Sequence, residues 1–122
     1  MTPQELRKRT KDFAIDVVRF CVALPTGDVE RVIGRQLLRG GTGVGANYRA
    51  VCRARSDREF IAKLGLTIEE ADESSYWLEI LVEAELVGPP TTAKLQREAD
   101  ELTRIFVASR ATARRRLAKS LR

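Results

Sequence analysis

From Asp57 to Val87 the chain runs about thirty residues without a proline, and its apolar positions recur at helical spacing throughout. Phe60, Leu64, Thr67, Ala71, Ser74, Leu78 and Leu81 form one row. Trp77, Ile80, Ala84 and Val87 form a second row about 100° away, so the apolar arc widens toward the C-terminal end. Ser56-Asp57-Arg58-Glu59 has the pattern of a capping box, and Gly88-Pro89-Pro90 ends the segment, with Gly88 expected at the C-terminal cap. A helix of this length is roughly 45 Å long at about 1.5 Å per residue.

The rest of the chain fits itself to that length. Thr2-Pro3-Gln4-Glu5 reads as another capping box, and Leu6, Phe13, Val17, Phe20, Cys21 and Leu24 make a single stripe up to the break at Pro25-Thr26-Gly27. A first helix is expected from Pro3 to Leu24. Asp28 is placed to cap a second, with apolar positions Val29, Val32, Ile33, Leu37, Val44, Tyr48, Val51 and Cys52 and an end near Ala54. A fourth starts near Thr92 and carries Leu95, Ala99, Leu102, Ile105, Phe106, Ser109 and Ala113. Four helices with short connections imply one all-α domain over residues 1–122, an antiparallel up-down-up-down four-helix bundle with a basic C-terminal tail at 110–122.

Gly40, Gly41, Gly43 and Gly45 fall inside the second helix, and each weakens it by about 1 kcal/mol relative to Ala. Either the helix kinks there, or a neighbouring helix comes close where no Cβ intervenes. Close packing is the favoured reading. A phosphate-cradling loop is disfavoured, because Gly-Gly-Thr-Gly-Val-Gly lacks the Lys-Ser/Thr ending of a P-loop and no strand precedes it.

Charge is segmented along the chain. Residues 1–58 carry 12 Lys/Arg against 6 Asp/Glu, residues 59–109 carry 4 against 11, and residues 110–122 carry 6 against none. Such a pattern suits pairing within the chain, head-to-tail subunit contacts or a phosphate-binding surface. No apolar run is long enough for a signal peptide or a membrane span, and Cys21 and Cys52 lack metal or redox spacing, so a reducing cytoplasm is expected, with both thiols buried as small hydrophobes.

Gln36-Leu37-Leu38-Arg39, Gly45-Ala46-Asn47-Tyr48-Arg49-Ala50, Ser56-Asp57-Arg58-Glu59-Phe60-Ile61-Ala62-Lys63-Leu64 and Glu70-Ala71-Asp72-Glu73-Ser74-Ser75-Tyr76-Trp77-Leu78-Glu79-Ile80-Leu81 together resemble the four-helix bundle protein family. That family includes proteins encoded in intervening sequences of bacterial 23S rRNA genes, and it is similar to the accessory protein of diversity-generating retroelements. The resemblance spans about residues 10–110. It implies a bundle assembling into a barrel-like homopentamer, with nucleic-acid or ribonucleoprotein binding. It supplies no catalytic residue and no cofactor.

Individual residues support binding better than catalysis. There is no His, which removes the commonest metal ligand and the usual general base near neutral pH. Glu69 and Glu73 are spaced to reach one cation, but a di-iron bundle draws Glu-x-x-His pairs from several helices, so no metal is expected. The ordinary role for Glu69, Glu70, Asp72 and Glu73 is a solvated face, or one that meets the arginines of the second helix in the same or a neighbouring subunit. Asn47 is expected to fix register by hydrogen bonding. Ser74 and Ser75 are expected to admit a close neighbour, with nothing placed to activate either hydroxyl.

The expected nucleic-acid contacts are Arg31, Arg35, Arg39, Arg49 and Arg53 on the second helix and Arg110, Arg114, Arg115, Arg116, Lys119 and Arg122 in the tail. Guanidinium groups bond phosphate oxygens bidentately, and each neutralised phosphate releases counterions whatever the sequence. The competing role for the tail is a solubilising helix end; Leu117 and Leu121 also leave room for an amphipathic contact with anionic membrane. The expected oligomer contacts are Trp77, Ile80, Ala84 and Val87. Partners are then further copies of the chain, RNA or DNA, or a nucleic-acid-processing protein; the alternative is an assembly scaffold without nucleic acid.

Overall fold

The computed structural model describes residues 1–122 as four helices: α1 (Pro3–Val22), α2 (Asp28–Cys52), α3 (Asp57–Glu83) and α4 (Pro89–Ser120). Each connection is four or five residues long and reverses the chain. Cross-helix contacts show the opposed directions: Gly45 approaches Thr10 while Gly34 approaches Leu24, and Ser75 reaches Asp100 while Asp57 reaches Arg116. The bundle is up-down-up-down, as the helix periodicity implies. The start of α1, the end of α2, the start of α3 and the end of α4 therefore share one end of it.

The core follows the apolar rows. Leu6, Phe13 and Val17 of α1 pack with Leu37, Val44, Tyr48 and Val51 of α2, Leu64, Ala71, Leu78 and Leu81 of α3, and Leu95, Ala99, Leu102 and Phe106 of α4. The Tyr48 and Phe106 rings stack across the bundle with centroids 5.7 Å apart. Polar residues drawn into the helix interfaces are satisfied locally. Thr10 donates to the Arg7 carbonyl, Thr67 to that of Lys63 and Ser74 to that of Glu70. Ser75 donates to Asp100 across the α3/α4 seam and accepts from Gln96. No buried side-chain polar atom is left unpaired.

The glycine run packs closely, and α2 does not break. A Cβ on Gly41 would lie 2.7 Å from both Val17 methyls, and one on Gly45 would lie 3.3 Å from the Thr10 carbonyl oxygen. A Cβ on Gly40 would meet the Ser74 hydroxyl at 3.0 Å, so α3 also comes close, as the small Ser74 allows. None of these glycines has positive φ; they are there for space.

Helix ends differ from the sequence expectations in several places. α1 stops at Val22 rather than Leu24, and α2 at Cys52 rather than Ala54. Gly27, not Asp28, is the α2 N-cap; Asp28 lies inside the first turn, where its charge suits the helix dipole. Thr2 completes its capping box with Glu5, but at Ser56 only half forms, because the Glu59 carboxylate turns to Lys63 at 3.0 Å. α3 stops at Glu83, four residues before Val87. Its terminus is a Schellman motif: Glu85 takes φ 61°, its N–H bonds the Val82 carbonyl, and the Leu86 N–H bonds the Leu81 carbonyl. The left-handed position expected of Gly88 thus falls on a glutamate, while Gly88 becomes the N-cap of α4. α4 begins at Pro89 rather than Thr92 and continues to Ser120. The basic stretch from Arg110 is consequently a helix end, anchored by buried Ala113, and not a free tail.

Candidate nucleic-acid interface

The topology decides which of the expected cations meet. On α2 and its C-cap all five arginines are exposed, on the face turned away from the core. Arg31, Arg35 and Arg39 lie in its first half, and Arg49 in its last turn and Arg53 at its C-cap, about 15–33 Å further along the axis. The set expected from sequence is therefore split. Arg49 and Arg53 share the basic end of the bundle with the end of α4, whereas Arg31, Arg35 and Arg39 do not. Arg31 is tied to Asp28 within its own first turn, at 3.2 Å.

Arg49 is the hinge of the arrangement. It lines an open groove of about 550 Å³ between α1 and α2, whose other cations are Arg7, Lys8 and Lys11 and whose floor is Gly45, Ala46 and Ala14. On its other side, Arg49 lines a second groove with Arg53 and Lys63, between α2 and α3. Arg7, Lys11, Arg49 and Arg53 have no carboxylate within ion-pair distance. Lys8 is held by Asp12 at 2.8 Å, which raises its pKa, and Lys63 is held by Glu59, whose carboxyl is correspondingly lowered. Arg7 also acts on the buried Tyr48 hydroxyl: burial and Cys52 push that pKa up, and the Arg7 charge opposes the shift. Arg7, Lys8, Lys11 and Lys63 were missed by an inventory confined to α2 and the C-terminus. The signal was available, since an antiparallel hairpin puts residues 7–11 opposite the last turns of α2.

At the end of α4, Arg114, Arg115, Lys119 and Arg122 are exposed and make no ion pair, although Arg115 donates to the Thr112 hydroxyl. Arg110 is half-buried. Arg116 is already engaged: its guanidinium grips Asp57 at 2.8–3.2 Å through Nε and Nη2, holding the end of α4 against the start of α3. That pair lowers the Asp57 pKa and raises that of Arg116. Arg116 is thus a latch within the chain, and the five other cations of this stretch make no ion pair.

The acidic face lies elsewhere. Glu69, Glu70, Asp72 and Glu73 of α3 form no ion pair within the chain, and no three His, Cys, Asp or Glu side chains gather there or anywhere else. Glu70 packs beside Gly40 and Gly43; burial raises its carboxyl pKa, Glu73 adds to the rise, and the Arg39 charge opposes it. Asn47 is half-buried and its side chain makes no hydrogen bond, so it does not fix the register. Cys21 and Cys52 are free and half-buried; the Cys21 thiol donates to the Gly34 carbonyl, and burial pushes its pKa up.

The expected oligomer row is only partly exposed. Trp77 packs against the core, with its indole donating to Glu73, and Val87 folds back onto the core from beyond the end of α3. Ile80 is half-buried and Ala84, the C-cap, is exposed. The contacts of Gly40 with Ser74 and Gly43 with Glu70 set the α2/α3 register, which brings Val29 and Val32 level with Ala84 and Ile80. Both valines, counted among the apolar positions of the second helix, are more than half exposed, at 57% and 58%. The apolar surface at this end is therefore shared between two helices.

No helix is long and apolar enough to cross a membrane. Comparison with curated proteins gives no match. Among solved structures, the chain is similar to a protein of unknown function from the S23 ribosomal protein family of Bacteroides thetaiotaomicron VPI-5482. The two share 29% identity and a TM-score of 0.83, over 91% of this chain and 99% of that one. A family model, 23S rRNA-intervening sequence protein, matches residues 3–108, which takes in all of α1 to α3 and most of α4. The chain belongs to the 23S rRNA-intervening sequence protein family.

Proposed function

We propose that this protein is a non-enzymatic, self-associating cytoplasmic bundle that binds nucleic acid, with structured RNA as its natural ligand, through the end where α1, α2 and α4 present unpaired cations. The observation that carries this reading is the group of Arg7, Lys11, Arg49 and Arg53, four exposed cations from two helices with no carboxylate to neutralise them. Holding like charges together costs Coulomb energy unless a polyanion shares the surface. The family's link to rRNA genes favours RNA as that polyanion. Self-association would repeat the cationic end on each subunit and make weak contacts multivalent.

Fluorescence anisotropy of a labelled RNA hairpin across a salt series tests the reading. Affinity should fall steeply with salt and change little with sequence. No binding at low salt would refute it. A second reading, an assembly scaffold, draws on the unpaired carboxylates of α3, which could meet the cationic end of a neighbouring copy. It predicts an oligomer that dissociates as salt rises and has no affinity for RNA. A native mass of one 13.7 kDa chain at micromolar concentration would remove self-association from both readings.

A further inference from the structure

From the α1/α2 groove we infer the form of nucleic acid it takes: the paired, double-helical form, held by its phosphates with no base unstacked. This inference rests on the nucleic-acid reading above. It begins with where the aromatic rings are. Phe13, Tyr48 and Phe106 are buried, and Phe20, Phe60 and Trp77 pack against the core. Tyr76 is the one ring more than half exposed, at 52%, and it stands on α3 among Asp72, Glu73 and Glu79, away from the cations. Single-strand binders combine a basic groove with aromatic platforms, each stacked base contributing about 1–3 kcal/mol. Here the groove has the charge without the platform.

The walls and floor of the groove agree. Gly45 and Ala46 put nothing larger than a methyl on the floor, and the uncharged polar groups of the lining are the Gln4 amide and the Thr42 hydroxyl, so cations dominate it, as contact with phosphate requires. Cations stand on both walls. Arg7 and Lys11 are spaced i, i+4 on α1 and face Arg49 of α2, and Arg53, four residues on at the α2 C-cap, continues that row into the neighbouring groove with Lys63. Successive cations on each helix are thus about 6 Å apart, close to two nucleotides of rise along one duplex strand. The groove is also firmly built, since a Cβ on Gly45 would already touch the α1 backbone. Rigid helices presenting fixed charges suit a stiff duplex of regular phosphate spacing better than a pliable single strand.

The test compares a 20-base-pair RNA duplex, the corresponding DNA duplex and a 20-nucleotide unstructured single strand, each titrated against the full chain, against Lys11→Gln/Arg49→Gln, and against Arg97→Gln as a surface control outside the groove. Both duplexes should bind at least tenfold tighter than the single strand. The double variant should lose about tenfold on duplex, with a salt slope shallower by about two; Arg97→Gln should match the parent. If the single strand binds as well as the duplexes, the duplex inference fails while the nucleic-acid reading stands. If the double variant keeps full duplex affinity, the groove is not the site. If nothing binds at low salt, the underlying reading fails as well. RNA over DNA, if found, would refine the inference to A-form geometry.

Discussion

The two flanks of α1 are held by opposite means. Toward α2 the helices nearly touch, because Gly41 leaves room for Val17 and Gly45 for the Thr10 carbonyl. Toward α4 the contact is short and ionic. Arg9 spans the gap to Glu98 at 2.7 Å, through both Nε and Nη2, and to Glu101 at 2.9 Å; Lys94 reaches Asp16 at 3.7 Å, beside an open groove of about 690 Å³. Packing without Cβ atoms gives a rigid seam that tolerates no added volume, and charge gives a compliant seam that responds to salt. The cationic groove lies over the rigid one, so its walls keep a fixed separation.

That contrast can be broken first at Gly41. Gly41→Ala gains about 1 kcal/mol of helix propensity but drives a methyl into Val17, a clash of about 1–3 kcal/mol, so a net loss of up to about 2 kcal/mol is expected in urea unfolding. On the other flank, Glu98→Gln should cost about 1 kcal/mol at low salt, since the pair is only partly buried, and distinctly less in 1 M salt. A Gly41→Ala loss that vanished in high salt, or a Glu98→Gln loss that did not, would invert the assignment of the two seams.

Two substitutions sharpen the account by having the opposite sign. Gly65→Ala should stabilise by about 0.5–1 kcal/mol, because nothing lies within 4 Å of its Cβ and α3 gains propensity. Glu85→Gly should stabilise by a similar amount, by relieving the left-handed backbone at the Schellman terminus. A loss at either position, read from thermal melts, would mean that the glutamate or the glycine makes a contact which outweighs backbone preference.

The smallest effect is expected at the Asp57–Arg116 latch, which is exposed. Arg116 lowers the Asp57 pKa, so the pair's contribution is complete above the unfolded carboxyl value and is lost as pH falls through the lowered folded value. Asp57→Asn should therefore be slightly less stable than the parent at pH 7, and the difference should close as pH falls below the lowered folded value of Asp57. A gap that stayed open in acid would assign it to the helix dipole or packing.

Much of the bundle was legible because it rests on local rules. The rows through Leu64, Ala71 and Leu78 and the Thr2 capping box depend on spacing alone, and they recur in the structure. Where expectation failed, a contact distant in sequence had decided. Val29 and Val32 continue the apolar run of α2 but lie beyond its buried face. Gly88 looks like a helix terminus, yet the chain had already turned at Glu85, since Leu86 can then pack into the core beside Leu81. The cation set was half legible for the same reason. Arg49 and Arg53 were visible on α2, whereas their union with Arg7 and Lys11 exists only once α1 folds back along α2, and the engagement of Arg116 exists only once α4 reaches Asp57.

The measurement that tests the central claim most directly is photocrosslinking to the full chain of an RNA hairpin that carries azidophenacyl groups on backbone phosphorothioates, followed by peptide mapping. Crosslinks should fall on peptides holding residues 4–11, 46–53 and 114–122, and should disappear as salt rises. Crosslinks concentrated on residues 66–80 of α3, or spread evenly over the surface and indifferent to salt, would contradict it.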